Sequence, residues 1–91
     1  GVVFPKDIYK YLWYWQVFGG GSGYPWYSRT YNVGIEPATA PPTGLQSAVD
    51  NNTAVKFGAG ESITAKLKVV AFSGVNGVEK ITSDGTIIPR Q

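Results

Sequence analysis

Glu36 is the residue in this sequence most suited to proton transfer, because it is an isolated acid in the otherwise apolar stretch "NVGIEP". Burial of a carboxylate in an apolar strand without a partner costs free energy and raises its pKa, which makes it a better proton acceptor. The structural alternative is an exposed strand end, or an ion pair with Arg29. Both interpretations stay open from the residues alone.

Aromatic residues upstream of Glu36 could bind a ring-shaped ligand. Eleven of the chain's thirteen aromatic residues lie in its first third, before Asn32. Most are expected in the core, Trp13 and Tyr14 among them, because aromatic side chains bury the most area per residue. Trp26 lies in the loop-like stretch "GYPWYS", where an exposed ring would suit stacking on a sugar or a base. For Trp26 the core and the stacking interpretations are equally open.

The glycine tract "GGGSG" between these aromatic segments matches neither a phosphate-binding loop nor a dinucleotide fingerprint. We interpret it as a flexible connection between strands. The alternative is a rim where a ligand approaches bare backbone.

Composition excludes several classes of chemistry. The chain has no cysteine and no histidine, so thiol catalysis, thiolate metal sites and the commonest acid-base residue are excluded, and we expect no cofactor and no metal. The absence of cysteine also fits a reducing compartment, and we expect a cytoplasmic location. Eight scattered basic residues against six acidic ones predict no nucleic-acid partner, and no apolar run is long enough for a membrane span.

The periodicity of the chain is that of strands, which predicts an all-β fold: an antiparallel β-sandwich, or a section of one, with five or six strands in a single domain, residues 1–91. Residues 9–18 alternate with apolar residues on both faces, so we expect this strand to be covered on both sides. Asp84-Gly85 predicts a hairpin. The other expected elements are strands at 30–36, closed by Pro37, at 54–57 and at 62–72, and a helical turn at 45–49.

Three pieces of sequence, in this order, resemble the C-terminal part of the galactose mutarotase-like proteins, the aldose 1-epimerase family. They are "WYWQ" with the aromatic and glycine stretch after it, "GIEP" before a Pro-rich loop, and "GAGES" leading into a long segment of strand character. The resemblance covers roughly residues 11–72. It implies part of a large antiparallel supersandwich that binds a hexose in an open cleft.

The resemblance also implies roles for individual residues. It places Glu36 at the position of the family's glutamate, which takes the proton from the anomeric hydroxyl. Trp26 becomes a candidate stacking platform, Gln16 and Arg29 candidate polar groups toward sugar hydroxyls, and Trp15 a residue that lines the pocket or lies in the core. The family's acid is a histidine upstream of the matching region, and this chain has none.

Two accounts of the chain follow from the resemblance. The chain is a fragment of a larger mutarotase-like domain that is inactive alone, or it is a small protein that associates with itself to cover an exposed sheet. In both accounts we expect a hexose or related carbohydrate as ligand and a homo-oligomer. The alternative function is a carbohydrate-binding or self-assembling β module without catalysis.

Overall fold

A computed structural model describes all residues of the chain, 1–91. It consists of short antiparallel strands and one short helix, as the all-β prediction requires, and divides into two compact units, residues 9–56 and residues 1–8 with 57–91. The elements are β1 (Val2–Val3), β2 (Tyr11–Phe18), β3 (Tyr31–Ala38), α1 (Leu45–Asp50), β4 (Lys68–Val69), β5 (Val78–Ile81) and β6 (Ile87–Pro89). The strands form three two-stranded sheets, β1–β4, β2–β3 and β5–β6.

The unit 9–56 is built on the antiparallel pair of β2 and β3, which are eight residues each. Trp13 lies opposite Glu36 and Trp15 opposite Gly34 in the register. Because successive side chains point to opposite faces, this register divides the pair into two faces. The tryptophan face comprises Tyr11, Trp13, Trp15, Val17, Asn32, Gly34, Glu36 and Ala38. The apolar hairpin face comprises Leu12, Tyr14, Gln16, Phe18, Tyr31, Val33, Ile35 and Pro37.

The bounds of both strands differ from the prediction. β2 begins at Tyr11, two residues later than expected. β3 begins one residue later than expected, at Tyr31, and continues through Pro37 to Ala38 instead of ending before the proline. A proline removes one ladder hydrogen-bond donor and is tolerated in an edge strand. β3 has only β2 as a neighbour, so it is an edge strand and accommodates Pro37 opposite Leu12.

The helical turn expected at 45–49 is confirmed as α1, Leu45–Asp50. Gly44 precedes it with a φ of 87°, a conformation that favours glycine, and its carbonyl accepts a hydrogen bond from the Ala48 N–H at 3.0 Å. At the other end the Asn51 N–H donates to the Ser47 carbonyl at 3.0 Å. Ala48 is the one side chain of the helix that is buried.

The strand predicted at 54–57 is absent, and the strand predicted at 62–72 is wrong in extent, since only Lys68–Val69 forms a strand, β4, paired with β1. A strand needs a neighbour for its backbone groups, and β1 offers only the two residues Val2 and Val3. Ile63 and Leu67, on the apolar side of the alternation in "SITAKLKVVAF", are both about half exposed. Apolar alternation indicates a surface suited to a sheet, and it does not supply the partner strand.

The predicted hairpin at Asp84-Gly85 is confirmed as the connection between β5 and β6, which pair antiparallel. Gly85 has a φ of 95°, which favours glycine. The Gly85 N–H donates to the Thr82 carbonyl at 2.9 Å, and the Thr82 N–H donates to the Thr86 carbonyl at 2.9 Å.

Asp84 is expected to fix the β5–β6 turn in a pH-dependent way. The Thr82 hydroxyl, the Thr86 N–H and the Thr86 side chain hydrogen-bond its carboxylate, and Lys68 adds a smaller attraction, so its pKa is lowered from 3.8 to about 2. A group with a lowered pKa stabilises the folded form above its ordinary pKa, and that contribution is lost as the pH falls toward the folded value. We therefore expect the turn to loosen between about pH 4 and pH 2.

An NMR titration of the Asp84 carboxyl carbon measures this directly. A midpoint near 2 is expected, and a midpoint at the ordinary value of 3.8 would contradict the hydrogen-bonding network described here. In the control variant Asp84→Asn, the amide resonances of Thr82 and Thr86 should lose their pH dependence over this range.

The expectation of an aromatic core is wrong. Ala48 is the only buried hydrophobic residue, and Tyr14, expected in the core, is 60% exposed. Trp13 is partly buried. The physical reason is that a two-stranded sheet cannot cover its own faces, so the expected coverage of β2 on both sides is not found either.

The single helix is much too short to cross a bilayer.

Candidate functional site

Two tryptophans contact each other at the tip of the β2–β3 pair. Trp15 of β2 and Trp26 of the connecting loop have ring centroids 5.6 Å apart and planes inclined by 56°. Each of the two residues is 39% exposed, so the pair offers aromatic surface to solvent. An open cleft of about 280 Å³, here called the Trp26 cleft, lies beside them. It is lined by Trp15, Gln16, Val17, Phe18, Gly20, Gly21 and Trp26.

Backbone hydrogen bonds hold the loop that carries Trp26. The Trp26 and Tyr27 N–H groups both donate to the Gly23 carbonyl, at 2.9 and 3.0 Å, and the Ser28 N–H donates to the Gly21 carbonyl at 2.6 Å. Tyr27 and Ser28 have φ angles of 48° and 57°, in the left-handed region. These bonds give the loop a defined path, so the glycine tract is more than a flexible connection.

Gly21 allows Trp26 to lie against the loop backbone. A Cβ atom at Gly21 would lie 3.1 Å from the Trp26 Cβ and 3.2 Å from two atoms of its indole, tighter than nearly all real contacts. The absent side chain at this position therefore helps to set the position of the indole. The alternative considered from the sequence, a rim where a ligand approaches bare backbone, stays a prediction.

Glu36 lines a second open cleft, of about 430 Å³, on the same pair of strands. This Glu36 cleft is lined by Tyr11, Leu12, Trp13, Tyr14, Trp15, Glu36 and Pro42. The Trp13 indole Nε1 donates to the Ala40 carbonyl at 2.7 Å, which holds the Pro-rich segment beside the strand. The volume of the Glu36 cleft is in the range of small-molecule sites, about 300–1,000 Å³. Trp15 lines both clefts.

The Glu36 carboxylate lies over Gly34, next to Trp15. A Cβ atom at Gly34 would lie 2.7 Å from the Glu36 Oε1 and 3.4 Å from the Trp15 Cε3. A glycine inside a strand commonly marks a place where another group approaches the backbone closely. Gly34 therefore provides the space in which an acid and an aromatic ring lie side by side. Glu36 itself is exposed, so the condition of a buried, unpartnered acid is not met.

The structure brings several of the predicted site residues together and separates Arg29 from Glu36. Trp15, Gln16 and Trp26 line one cleft, and Glu36 shares the other with Trp15. Arg29 lies in the loop two residues before β3, and its N–H donates to the Trp26 carbonyl at 2.9 Å. From Tyr31 to Glu36 the strand rises on the order of 16 Å, which is beyond the reach of an arginine side chain. The alternative of an Arg29–Glu36 ion pair is therefore not found.

Comparison with family models, with curated proteins and with solved structures finds no match. The assignment of a function therefore depends on the geometry of the two clefts. No group of three or more histidine, cysteine, aspartate or glutamate side chains is arranged to hold a metal ion.

Three residues of the hairpin were not identified from the sequence as site residues. A side chain at Gly21 would crowd Trp26 and one at Gly34 would crowd Glu36. A glycine inside a strand or loop indicates such a close approach but does not identify the neighbour. The third, Asn32, lies opposite Val17 on the tryptophan face. Its Oδ1 is buried without a hydrogen-bond partner, and nothing in the sequence pattern predicts this.

Proposed function

We propose that this chain is a carbohydrate-binding β module whose ligand lies along the tryptophan face. The observation that carries the proposal is the position of Trp15, which lines both clefts and lies between the Trp26 indole on one side and the Glu36 carboxylate on the other. A hexose presents an apolar face of C–H groups and a rim of hydroxyls. An aromatic ring with a carboxylate beside it suits both.

The ligand class is supported by the character of the surface around Trp15. Glu36 is the only charged residue among those that line the two clefts. A negative charge repels phosphate and nucleic-acid backbones, which require cations. A carboxylate accepts hydrogen bonds from hydroxyl groups, and such charge-assisted bonds are stronger than neutral ones. A neutral polyhydroxylated ring is therefore the best match.

The fold that we propose for this module is part of a mutarotase-like sandwich. Support comes from the sequence resemblance around "WYWQ" and "GIEP", which form β2 and β3, and from the antiparallel pairing that sets Trp13 opposite Glu36. In such an arrangement Glu36 corresponds to the glutamate that accepts the proton of the anomeric hydroxyl. Gln16 contributes a polar group at the border of the Trp26 cleft.

Binding is the proposed function of this chain, and aldose 1-epimerase activity is proposed only for a completed site. Interconversion of anomers requires a base at the anomeric hydroxyl and an acid at the ring oxygen, both within hydrogen-bond reach of one sugar. Glu36 can accept the first proton. The family's acid is a histidine, and the chain contains none.

Titration with D-galactose and D-glucose tests the proposed function. Binding is expected to perturb the NMR resonances of the indole N–H groups of Trp15 and Trp26, since both rings are partly exposed in the cleft. Resonances of the β5–β6 turn, which lines neither cleft, serve as the internal control. If neither sugar shifts the two indole resonances at millimolar concentration, a carbohydrate function of the tryptophan face is ruled out.

A further inference from the structure

The apolar hairpin face, on the opposite side of β2 and β3 from the two tryptophans, is left uncovered. Its exposed members include Leu12, Tyr14, Val33 and Ile35, and Tyr31 is 77% exposed. Phe18 and Tyr31 stack on each other at one end, with ring centroids 5.0 Å apart. The stacking leaves both rings at least half exposed.

The area of this face is large for a monomer. An aromatic side chain carries about 150–250 Å² of surface, so its three partly exposed rings and its aliphatic neighbours present on the order of 600 Å². The largest apolar patch of a typical monomer is about 300–600 Å², and a standard interface buries about 800 Å² on each partner. The face therefore approaches the area that a stable dimer requires.

The chemistry of the face favours one kind of occupant. None of its eight residues is charged, so two identical copies can meet without opposing like charges. It is a pleated strand surface, and sheets pack face to face about 10 Å apart with interdigitated side chains. The nearest basic residues along the chain, Lys10 and Arg29, fall outside the ends of the strands, where a polar rim is expected.

We propose that the apolar hairpin face binds the same face of a second copy of this chain, so that two β2–β3 pairs form a sandwich. The dimer is isologous: each residue meets the partner's copy of the same surface. The tryptophan faces remain on the outside of the sandwich, one on each copy. Four residues of this face, Leu12, Tyr14, Gln16 and Phe18, also line the two clefts, whereas Val33 and Ile35 line neither. A change at Val33 therefore tests self-association without altering a residue of the proposed sugar site.

Analytical ultracentrifugation of the whole chain and of Val33→Lys tests this proposal. Val33 lies opposite Gln16, near the centre of the face. The wild-type chain is expected to sediment as a dimer at micromolar concentration. Two lysines brought together by the two-fold axis should raise the dimer dissociation constant at least about tenfold. The matched control is Val69→Lys, since Val69 is 84% exposed in β4 and should leave the dimer unchanged.

A cysteine variant covers the case in which Val33→Lys does not fold. The wild-type chain has no cysteine, so Val33→Cys places a single thiol near the two-fold axis. Mild oxidation should link two copies of Val33→Cys much faster than two copies of Val69→Cys. A monomeric wild-type chain would overturn the proposal. Self-association unaffected by Val33→Lys, with no preferential cross-linking at Val33, would also overturn it and place the contact elsewhere, such as the free edges of β2 and β3.

Discussion

Replacing Trp15 with alanine is expected to weaken D-galactose binding by about 2–3 kcal/mol, or roughly 30- to 150-fold. Trp15 lines both clefts, contacts the Trp26 indole and lies beside the Glu36 carboxylate. Its removal takes away a stacking surface and also the ring against which Trp26 rests. Isothermal titration calorimetry with the sugar measures the loss.

The control for this prediction is Phe57→Ala. Phe57 is also an exposed aromatic residue, 57% exposed, but it lines neither cleft. The Phe57→Ala variant should bind D-galactose with the affinity of the wild type. Equal losses in Trp15→Ala and Phe57→Ala would point to a general effect on folding. An unchanged affinity in Trp15→Ala would place the sugar away from the tryptophan face. Sedimentation of both variants should remain that of the wild type, because neither residue belongs to the apolar hairpin face.

Local sequence patterns predicted the elements whose stabilising contacts are close in the chain. The Asp84-Gly85 turn and the helix at Leu45–Asp50 depend mainly on hydrogen bonds between residues two to five positions apart and on glycines with positive φ. Such features are set by backbone sterics and by donors and acceptors within the same segment. A sequence read locally is therefore sufficient for them.

The strand expected at 62–72 and the aromatic core depended on partners that no local pattern identifies. The alternation of apolar and polar residues indicates which side of a segment is apolar. Strand pairing and side-chain burial also require another element at the right distance. The segment pairs with β1 only at Lys68–Val69, and Tyr14 on the apolar hairpin face has no element over it. The alternation on both faces of β2 was therefore an indication of surfaces that need cover, which the chain alone does not provide.

The candidate site was predictable in its residue types and only partly in its arrangement. The alternation of β2 and the pairing with "NVGIEP" bring Trp15 and Glu36 to one face. Arg29 was expected to share the site, and the length of β3 separates it from Glu36. The contribution of Gly34 became visible only with the register, because a glycine in a strand does not indicate which neighbour occupies its space.

Replacing Glu36 with glutamine is expected to weaken D-galactose binding about tenfold, because the side chain keeps its shape while a charge-assisted hydrogen bond becomes a neutral one. The indole resonances of Trp15 and Trp26 should still shift at saturating sugar, since the stacking surface is intact. Glu79→Gln is the matched control, because Glu79 is an exposed acid in β5 that lines neither cleft. An affinity equal to that of the wild type would remove Glu36 from the binding site.

Comparison of the wild-type chain with Glu36→Gln also distinguishes sugar binding from catalysis. Polarimetry of freshly dissolved α-D-galactose follows the exchange of anomers, and we expect the wild-type chain to leave the rate of the buffer unchanged. A base alone removes one proton, and ring opening also requires a proton at the ring oxygen. A rate above the buffer that disappears in Glu36→Gln would contradict this expectation and assign the base role to Glu36 in this chain. A rate that persists in Glu36→Gln would place the proton transfer on another group, such as the hydroxyl of Tyr11 or Tyr14, which also line the Glu36 cleft.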